Sequence, residues 1–301
     1  MYDLIILGGG PAGLTATVYA LRKRINALLI TRDLGGKTNY RLQLPFIEKH
    51  LVITGEETVN RFANEIDYIE HSRVFDKAEK VEKIKGGFKV TTREGDHYEG
   101  KALIVATGAL GRLLDVPGER EFMMRGLCYS AVSYAQLFIE RNVVVIGDTK
   151  LALRSTAELA HIAEKVTLVA PTHGELDSDL GSKVLRADNV EVLEGYQIKT
   201  VKGDEYARTL VVEKNGQTLE LDADAFFVEL ELIPQSDIVA DLVERNELGH
   251  IIIDCANQTS HEGIFAAGDV TTIFAEQVLI SVGEGAKAAL AAYEYLLVQP
   301  E

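Results

Sequence analysis

A glycine cluster between an apolar run and an alanine-rich stretch constrains the fold of this chain more than any other feature. The run Tyr2–Leu7 predicts a strand, the next stretch a helix to about Arg24, and Ala27–Thr31 a second strand. The cluster follows the pattern G-x-G-x-x-G with Gly8, Gly10 and Gly13, and it contains Pro11 and Ala12. Bare backbone there allows a pyrophosphate to approach the helix N-terminus. The sequence therefore predicts a βαβ unit that binds a dinucleotide.

A second βαβ pattern begins in the middle of the chain. Val143–Ile146 and Val166–Val169 predict strands, and Leu151–Ile162 predicts the helix between them. Alternating segments around Gly95 indicate a small β-meander, and an Ala-rich helix is expected over Ala275–Leu297. The predicted fold class is α/β, with two Rossmann-like, three-layer nucleotide-binding domains, the second inserted into the first. We expect residues 1–112 and 240–301 to form one domain and residues 113–239 the other.

Charge and composition exclude several classes of function. The 301 residues carry 31 Lys and Arg against 46 Asp and Glu, a formal charge of −15 that repels nucleic acids and anionic membranes. No apolar run approaches the roughly 20 residues of a membrane span. The only cysteines, Cys128 and Cys255, and the seven histidines show no metal-ligand spacing, so no metal site is predicted. We expect a protein of the reducing cytoplasm.

Four motifs together resemble the low-molecular-weight thioredoxin reductases, nearly from end to end. They are Gly8–Gly13, Gly35-Gly36, Ala106-Thr107-Gly108 and Gly263–Asp269. The resemblance implies a homodimer with FAD in the outer segments and NADPH in the middle one. It also places Asp269 at the flavin ribityl chain and Gln277 at the ring, where the positive end of the last helix favours the reduced flavin. A helix cap is the structural alternative for Asp269.

The residues expected to hold FAD come from the glycine loop, the second strand and the motifs of the resemblance. They are Gly8, Gly10, Pro11, Ala12, Gly13, Thr31, Arg32, Gly36, Lys37, Ala106, Thr107, Gly108, Gly268, Asp269, Gln277 and Val278. The acidic residue that commonly holds an adenosine ribose after the second strand is replaced by Thr31-Arg32-Asp33.

The family's redox motif, C-x-x-C, is replaced here. The corresponding window is Ser130-Ala131-Val132-Ser133, and a serine hydroxyl forms no disulfide and relays no electron pair. Because serine is nearly isosteric with cysteine, the sequence is compatible both with native serines and with engineered replacements of native cysteines. Cys128 is interpreted as a small buried hydrophobe, and a Cys128–Cys255 disulfide is an alternative.

The nicotinamide fingerprint also departs from the family pattern. Gly147, Asp148, Thr149 and Lys150 stand where the glycine loop of the second unit is expected. Asp148 adds negative charge and Thr149 adds a side chain where backbone should meet phosphate. The arginine pair for the 2′-phosphate is replaced within Ala170–Glu175. We therefore expect that NADPH is not the electron donor.

These observations predict an FAD-dependent oxidoreductase that transfers electrons between flavin and a thioredoxin-like or other redox protein. Two nicotinamide-independent branches of the resembling family offer precedents, one that takes electrons from ferredoxin and one with a second FAD. The second FAD, on Gly147–Lys150 with Tyr129 and Tyr134 as aromatic surface, is favoured, since a chain of charge −15 repels an acidic ferredoxin. A non-catalytic flavin-binding scaffold is the alternative from another class.

Overall fold

Short runs rich in valine, leucine and isoleucine form the parallel strands at the centre of each half of the chain. A computed structural model describes residues 1–46, 56–67 and 70–299. The strands are β1 Tyr2–Leu7, β2 Ala27–Thr31, β3 Arg73–Phe75, β4 Ala78–Ile84, β5 Gly87–Thr92, β6 His97–Val105, β7 Ala109–Gly111, β8 Leu127–Cys128, β9 Asn142–Ile146, β10 Lys165–Ala170, β11 Val190–Glu194, β12 Gln197–Gly203, β13 Ala207–Lys214, β14 Gln217–Asp222, β15 Ala225–Val228, β16 Leu232–Pro234 and β17 Ile264–Ala266.

The helices are α1 Pro11–Arg22, α2 Glu56–Asp67, α3 Glu119–Phe122, α4 Ala131–Tyr134, α5 Lys150–Leu159, α6 Asp179–Val184 and α7 Val278–Leu297, with 3-10 turns at Gly36–Asn39, Glu70–Ser72, Ala135–Phe138 and Asp237–Val239. Among the described residues, no helix is long and apolar enough to cross a membrane.

The described chain divides into two compact units. The first holds residues 1–39, 56–67, 70–110 and 233–299, and the second holds 40–46 and 111–232. The divisions after residues 110 and 232 lie two and seven residues before those predicted, and residues 40–46 join the second unit. Side-chain and backbone contacts join this segment to the second unit: the Phe46 ring packs edge-on against Phe138 at a centroid distance of 5.8 Å, and the Gln43 N–H donates to the Met124 carbonyl oxygen at 2.7 Å.

The first unit is built on a seven-stranded sheet in the order β3-β2-β1-β6-β5-β4, with β17 also paired to β6. Strand β6 joins two kinds of sheet: its first half pairs antiparallel with β5, and its second half lies parallel to β1 and β17. The antiparallel part is the meander expected around Gly95. Because β1, β6 and β17 run parallel, the loops after Leu7, Val105 and Ala266 emerge at one edge of the sheet.

The second unit contains a parallel sheet in the order β11-β10-β9-β15-β8 and a separate antiparallel sheet β12-β13-β14. The parallel sheet with α5 is the second βαβ unit of the sequence prediction. The antiparallel sheet was not predicted. Its β13–β14 hairpin turns at Asn215 and Gly216, both of which adopt positive φ. Asn-Gly is the preferred dipeptide for such two-residue turns.

Helices α1 and α7 pack tightly because the side chains between them are small. The buried face of α7 consists of Ser281, Gly285, Ala288, Ala289 and Ala292. A Cβ atom on Gly285 would lie 2.0 Å from the Ala12 carbonyl oxygen, well inside van der Waals contact. Gly285 therefore sets the distance between α7 and the N-terminal turn of α1.

Two glycines of α7 provide a matched test of this contact. Gly285→Ala should lower the free energy of unfolding by about 1–3 kcal/mol, because the added methyl meets backbone that cannot give way. Gly283→Ala, two residues away with open space around its Cβ position, should raise it by roughly 0.5–1 kcal/mol through helix propensity. Urea unfolding followed by circular dichroism measures both. Equal effects of the two substitutions would contradict the close packing.

Candidate functional site

The glycine loop after β1 is shaped by close backbone contacts. A Cβ atom on Gly8 would lie 2.3 Å from the Ala106 carbonyl oxygen, and one on Gly13 would lie 1.8 Å from the Gly8 carbonyl oxygen. Gly10 differs, since none of the described atoms around it lies within 4 Å of its Cβ position. Gly8 and Gly13 therefore serve packing, and Gly10 leaves open space at the start of α1.

The start of α1 is suited to an anion. Gly10 provides no capping side chain, Pro11 is the first helical residue, and the first turn contains no acidic residue. The backbone N–H groups of this turn and the helix dipole therefore present a positive end with no carboxylate in that turn to neutralise it.

A loop after β2 lies against the glycine loop. The Gly35 N–H donates to the Gly9 carbonyl oxygen at 2.7 Å, and a Cβ atom on Gly36 would lie 3.0 Å from the Gly10 Cα. Asp33 organises this loop, because its Oδ1 accepts hydrogen bonds from the Gly36 N–H at 2.9 Å and from Asn39 Nδ2 at 3.1 Å.

Thr31 and Arg32, which precede this loop, differ in burial. The buried Thr31 donates through its hydroxyl to the Asp33 carbonyl oxygen at 2.7 Å, and Arg32 is exposed. Sequence reasoning missed the role of Asp33, although the short side chain of Asp commonly accepts hydrogen bonds from nearby backbone N–H groups in turns.

The other predicted FAD residues gather at the same edge of the sheet. Ala106 is buried at the end of β6, Gly108 has open space at its Cβ position, and Thr107 donates through its hydroxyl to the Gln235 carbonyl oxygen at 2.6 Å. Gly268 adopts a positive φ of 77°, and its Cβ position lies 3.0 Å from the Cβ of Ala12.

Asp269 lies in the loop between β17 and α7. Its Oδ2 forms an ion pair with Lys37 Nζ at 2.5 Å, and its Oδ1 accepts a hydrogen bond from Ser281 Oγ at 3.3 Å. Helix α7 begins at Val278 with Gln277 in the N-cap position, so the start predicted at Ala275 was wrong by three residues. The helix-cap alternative for Asp269 is wrong for the same reason.

The glycine loop of the second unit has a different environment. The Asp148 carboxylate Oδ2 accepts hydrogen bonds from the Thr172 N–H at 2.9 Å and from the Thr172 hydroxyl at 2.7 Å. The Glu175 N–H donates to the Asp148 carbonyl oxygen at 2.8 Å, and Gly174 lies so close that a Cβ atom there would be 2.0 Å from that oxygen. The loop after β10 therefore packs onto the glycine loop.

A carboxylate of the chain itself occupies the start of α5. The Lys150 N–H donates to Glu175 Oε1 at 3.2 Å, while Thr149, in the N-cap position, has a buried hydroxyl without a partner among the described residues. The Glu175 carboxylate thus lies where a nucleotide phosphate binds at other helix N-termini. Neither Glu175 nor Thr172 was singled out from the sequence, because their contacts span more than 20 residues.

The serine pair lies at the start of α4. Ser130 Oγ and Ser133 Oγ are 2.9 Å apart and hydrogen bonded. The two tyrosines beside them are engaged within the second unit: Tyr129 donates to Glu119 Oε1 at 2.5 Å, and Tyr134 donates to the Tyr40 carbonyl oxygen at 3.2 Å. Both hydroxyls are thereby held by the protein.

The cysteines are both free thiols, so the alternative of a Cys128–Cys255 disulfide is wrong. Cys128 is buried on β8, and its Sγ donates to the Ser130 carbonyl oxygen at 3.6 Å. Burial raises the pKa of this thiol to about 12, with the nearby Glu229 carboxylate adding to the effect. Among the described residues, no group of three or more His, Cys, Asp and Glu side chains is arranged to hold a metal ion.

Comparisons with known proteins identify the family. The family described as pyridine nucleotide-disulphide oxidoreductase matches residues 2–292. The chain belongs to this family, which is FAD-dependent, and its fold is of the thioredoxin-reductase type.

Individual relatives agree with this assignment. A thioredoxin reductase from Streptococcus pyogenes MGAS5005 is 29% identical with a TM-score of 0.86, and one from Giardia duodenalis is 27% identical with a TM-score of 0.87; each comparison covers 99% of both chains. A subunit of the alkyl hydroperoxide reductase of Staphylococcus aureus (strain MSSA476) is 33% identical over 303 residues, which cover 98% of this chain. The chain spans 59% of the length of that relative.

The two thiols should differ sharply in reactivity. At about pH 8 only about one Cys128 side chain in 10⁴ is a thiolate, since its pKa is raised to about 12, whereas Cys255 is exposed. A thiol reagent such as Ellman's should titrate one thiol per native chain and two after denaturation. In the Cys255→Ser variant the native value should fall to zero. Rapid labelling of Cys128 in that variant would contradict its burial.

Proposed function

We propose that the chain is an oxidoreductase that uses FAD bound to the first unit and exchanges electrons with a partner other than NADPH. The observation that supports this most directly is the hydrogen bond from the Lys150 N–H to the Glu175 carboxylate. An internal anion at the start of α5 competes with a phosphate for the same donor and repels it.

The residues of the first unit fit FAD. The open space at Gly10 and the acid-free first turn of α1 would receive the pyrophosphate. Asp269 and the N-terminal turn of α7, with Gln277 and Val278, would face the ribityl chain and the ring, as the resemblance implies. Bound FAD supplies reversible two-electron chemistry. The protein binds and orients this cofactor and sets the charge around it.

The second unit would work without a bound nicotinamide or a second FAD. Asp148 carries a negative charge beside the glycine loop, and the loop containing Thr172 and Glu175 covers that position with its own hydrogen bonds. The second FAD favoured from the sequence would have to displace these contacts. The proposed partner for electron exchange is therefore a redox protein or a dithiol. We further propose that the protein is cytoplasmic and forms a homodimer.

Flavin counting and nucleotide mixing test the proposal. The purified protein should release about one FAD per chain on denaturation. Under anaerobic conditions NADPH or NADH should leave the absorbance of the oxidised flavin unchanged, whereas dithionite should bleach it. Two FAD per chain, or rapid bleaching by NADPH, would contradict the proposal.

Variants of the second unit test whether the Asp148 and Glu175 carboxylates block a nucleotide site at its glycine loop. In Asp148→Gly/Glu175→Ala both carboxylates are removed, and calorimetry should show ADP binding at least tenfold tighter than in the parent. Asp177→Ala, which removes an exposed carboxylate of the same loop, is the matched control and should behave as the parent. Equal ADP affinity in all three proteins would show that the carboxylates do not close the site.

The serine pair predicts the behaviour of restored thiols. Because the two Oγ atoms are 2.9 Å apart, Ser130→Cys/Ser133→Cys should close an intramolecular disulfide in air. With the two native thiols, the denatured variant should then show two free thiols oxidised and four after reduction. The single variant Ser130→Cys should show three in either state. Four thiols in the air-oxidised double variant would show that positions 130 and 133 do not form a disulfide.

A further inference from the structure

The first turns of α1 and α7 both pack against Gly268 in the first unit. The Cβ position of Gly268 lies 3.0 Å from the Ala12 Cβ and 3.4 Å from the Ser281 Oγ. Neither helix has an acidic residue in its first turn or a side-chain hydrogen bond at its N-cap. Two positive helix ends therefore lie close to Gly268.

One ion pair lies in that region. Lys37 Nζ is 2.5 Å from Asp269 Oδ2, and the Asp269 side chain is only 12% exposed. Lys37 follows Gly36, which packs on Gly10, and Asp269 accepts a hydrogen bond from Ser281 in the first turn of α7. The pair thus connects the glycine loop at α1 with the start of α7.

We propose that Lys37 is a positioning residue that neutralises Asp269 and thereby sets the midpoint potential of the flavin. This inference rests on the proposed function, because it requires FAD in the first unit. Lys37 would tune the cofactor through its ion pair with Asp269.

The physical argument concerns the charge that reduction adds. Taking up two electrons and one proton leaves the flavin ring with one negative charge, which the helix ends favour and an unpaired carboxylate opposes. The Lys37 ammonium cancels that opposition. A second carboxylate, on Glu276, lies 4.0 Å from Lys37 Nζ, so the cation is shared between two acids.

Charge-removal variants test this role through the redox potential. In Lys37→Gln the unpaired Asp269 should lower the ratio of reduced to oxidised flavin at a fixed potential by roughly tenfold, which equals about 30 mV for a two-electron couple. Asp269→Asn leaves the cation unpaired by that acid and should raise the ratio. The double variant Lys37→Gln/Asp269→Asn should return to within about threefold of the parent. Titration against reference dyes under anaerobic conditions measures each value.

The conservative variant Lys37→Arg keeps the charge and should match the parent potential. Single variants that shift in the same direction, a double variant that stays shifted by more than threefold, or equal potentials for Lys37→Gln and Lys37→Arg would each overturn the proposal. Flavin content is measured on the same samples. A parent protein without FAD would refute the proposed function, whereas FAD-loaded variants with unchanged potentials would refute only the role of Lys37.

Discussion

The approach of α7 to the first turn of α1 is the contact on which the candidate site depends. It is possible only because Gly285 has no side chain, and backbone rather than a flexible side chain lies opposite. On the same turn of α1, Ala12 also contacts Gly268, which begins the loop containing Asp269. A larger residue at this position would push α7 away from the first turn of α1, whose positive end favours an anionic cofactor.

Much of the first unit could be predicted from the sequence because its signals are local. Strand, glycine loop and helix follow one another within 24 residues, and Gly8 and Gly13 have steric reasons that hold wherever the motif folds. The start of α7 could not be placed so well. Alanine and glutamate at residues 275 and 276 favour a helix, but Gln277 is extended with φ −127° and ψ 140° in the N-cap position.

In the second unit, contacts between residues far apart in the chain could not be predicted from the sequence. The charge of Asp148 and the side chain of Thr149 indicated a poor phosphate site, and the structure adds a reason that the sequence does not contain. Thr172 and Glu175 reach back over 24 and 25 residues, and such contacts depend on the pairing of β9 with β10. The antiparallel sheet was missed although Asn215-Gly216 carried a strong local signal.

The chain thus contains two βαβ units with the same topology and opposite electrostatics at the helix start. In the first, the N-terminal turn of α1 has no acidic residue, and the carboxylate of Asp269 is paired with Lys37. In the second, Glu175 accepts a hydrogen bond from the first N–H of α5. A phosphate needs such donors. The first unit leaves them available to a dinucleotide, whereas in the second unit the Lys150 N–H already donates to Glu175. Under the proposed function, electrons would reach a flavin in the first unit from a partner that the glycine loop of the second unit does not bind.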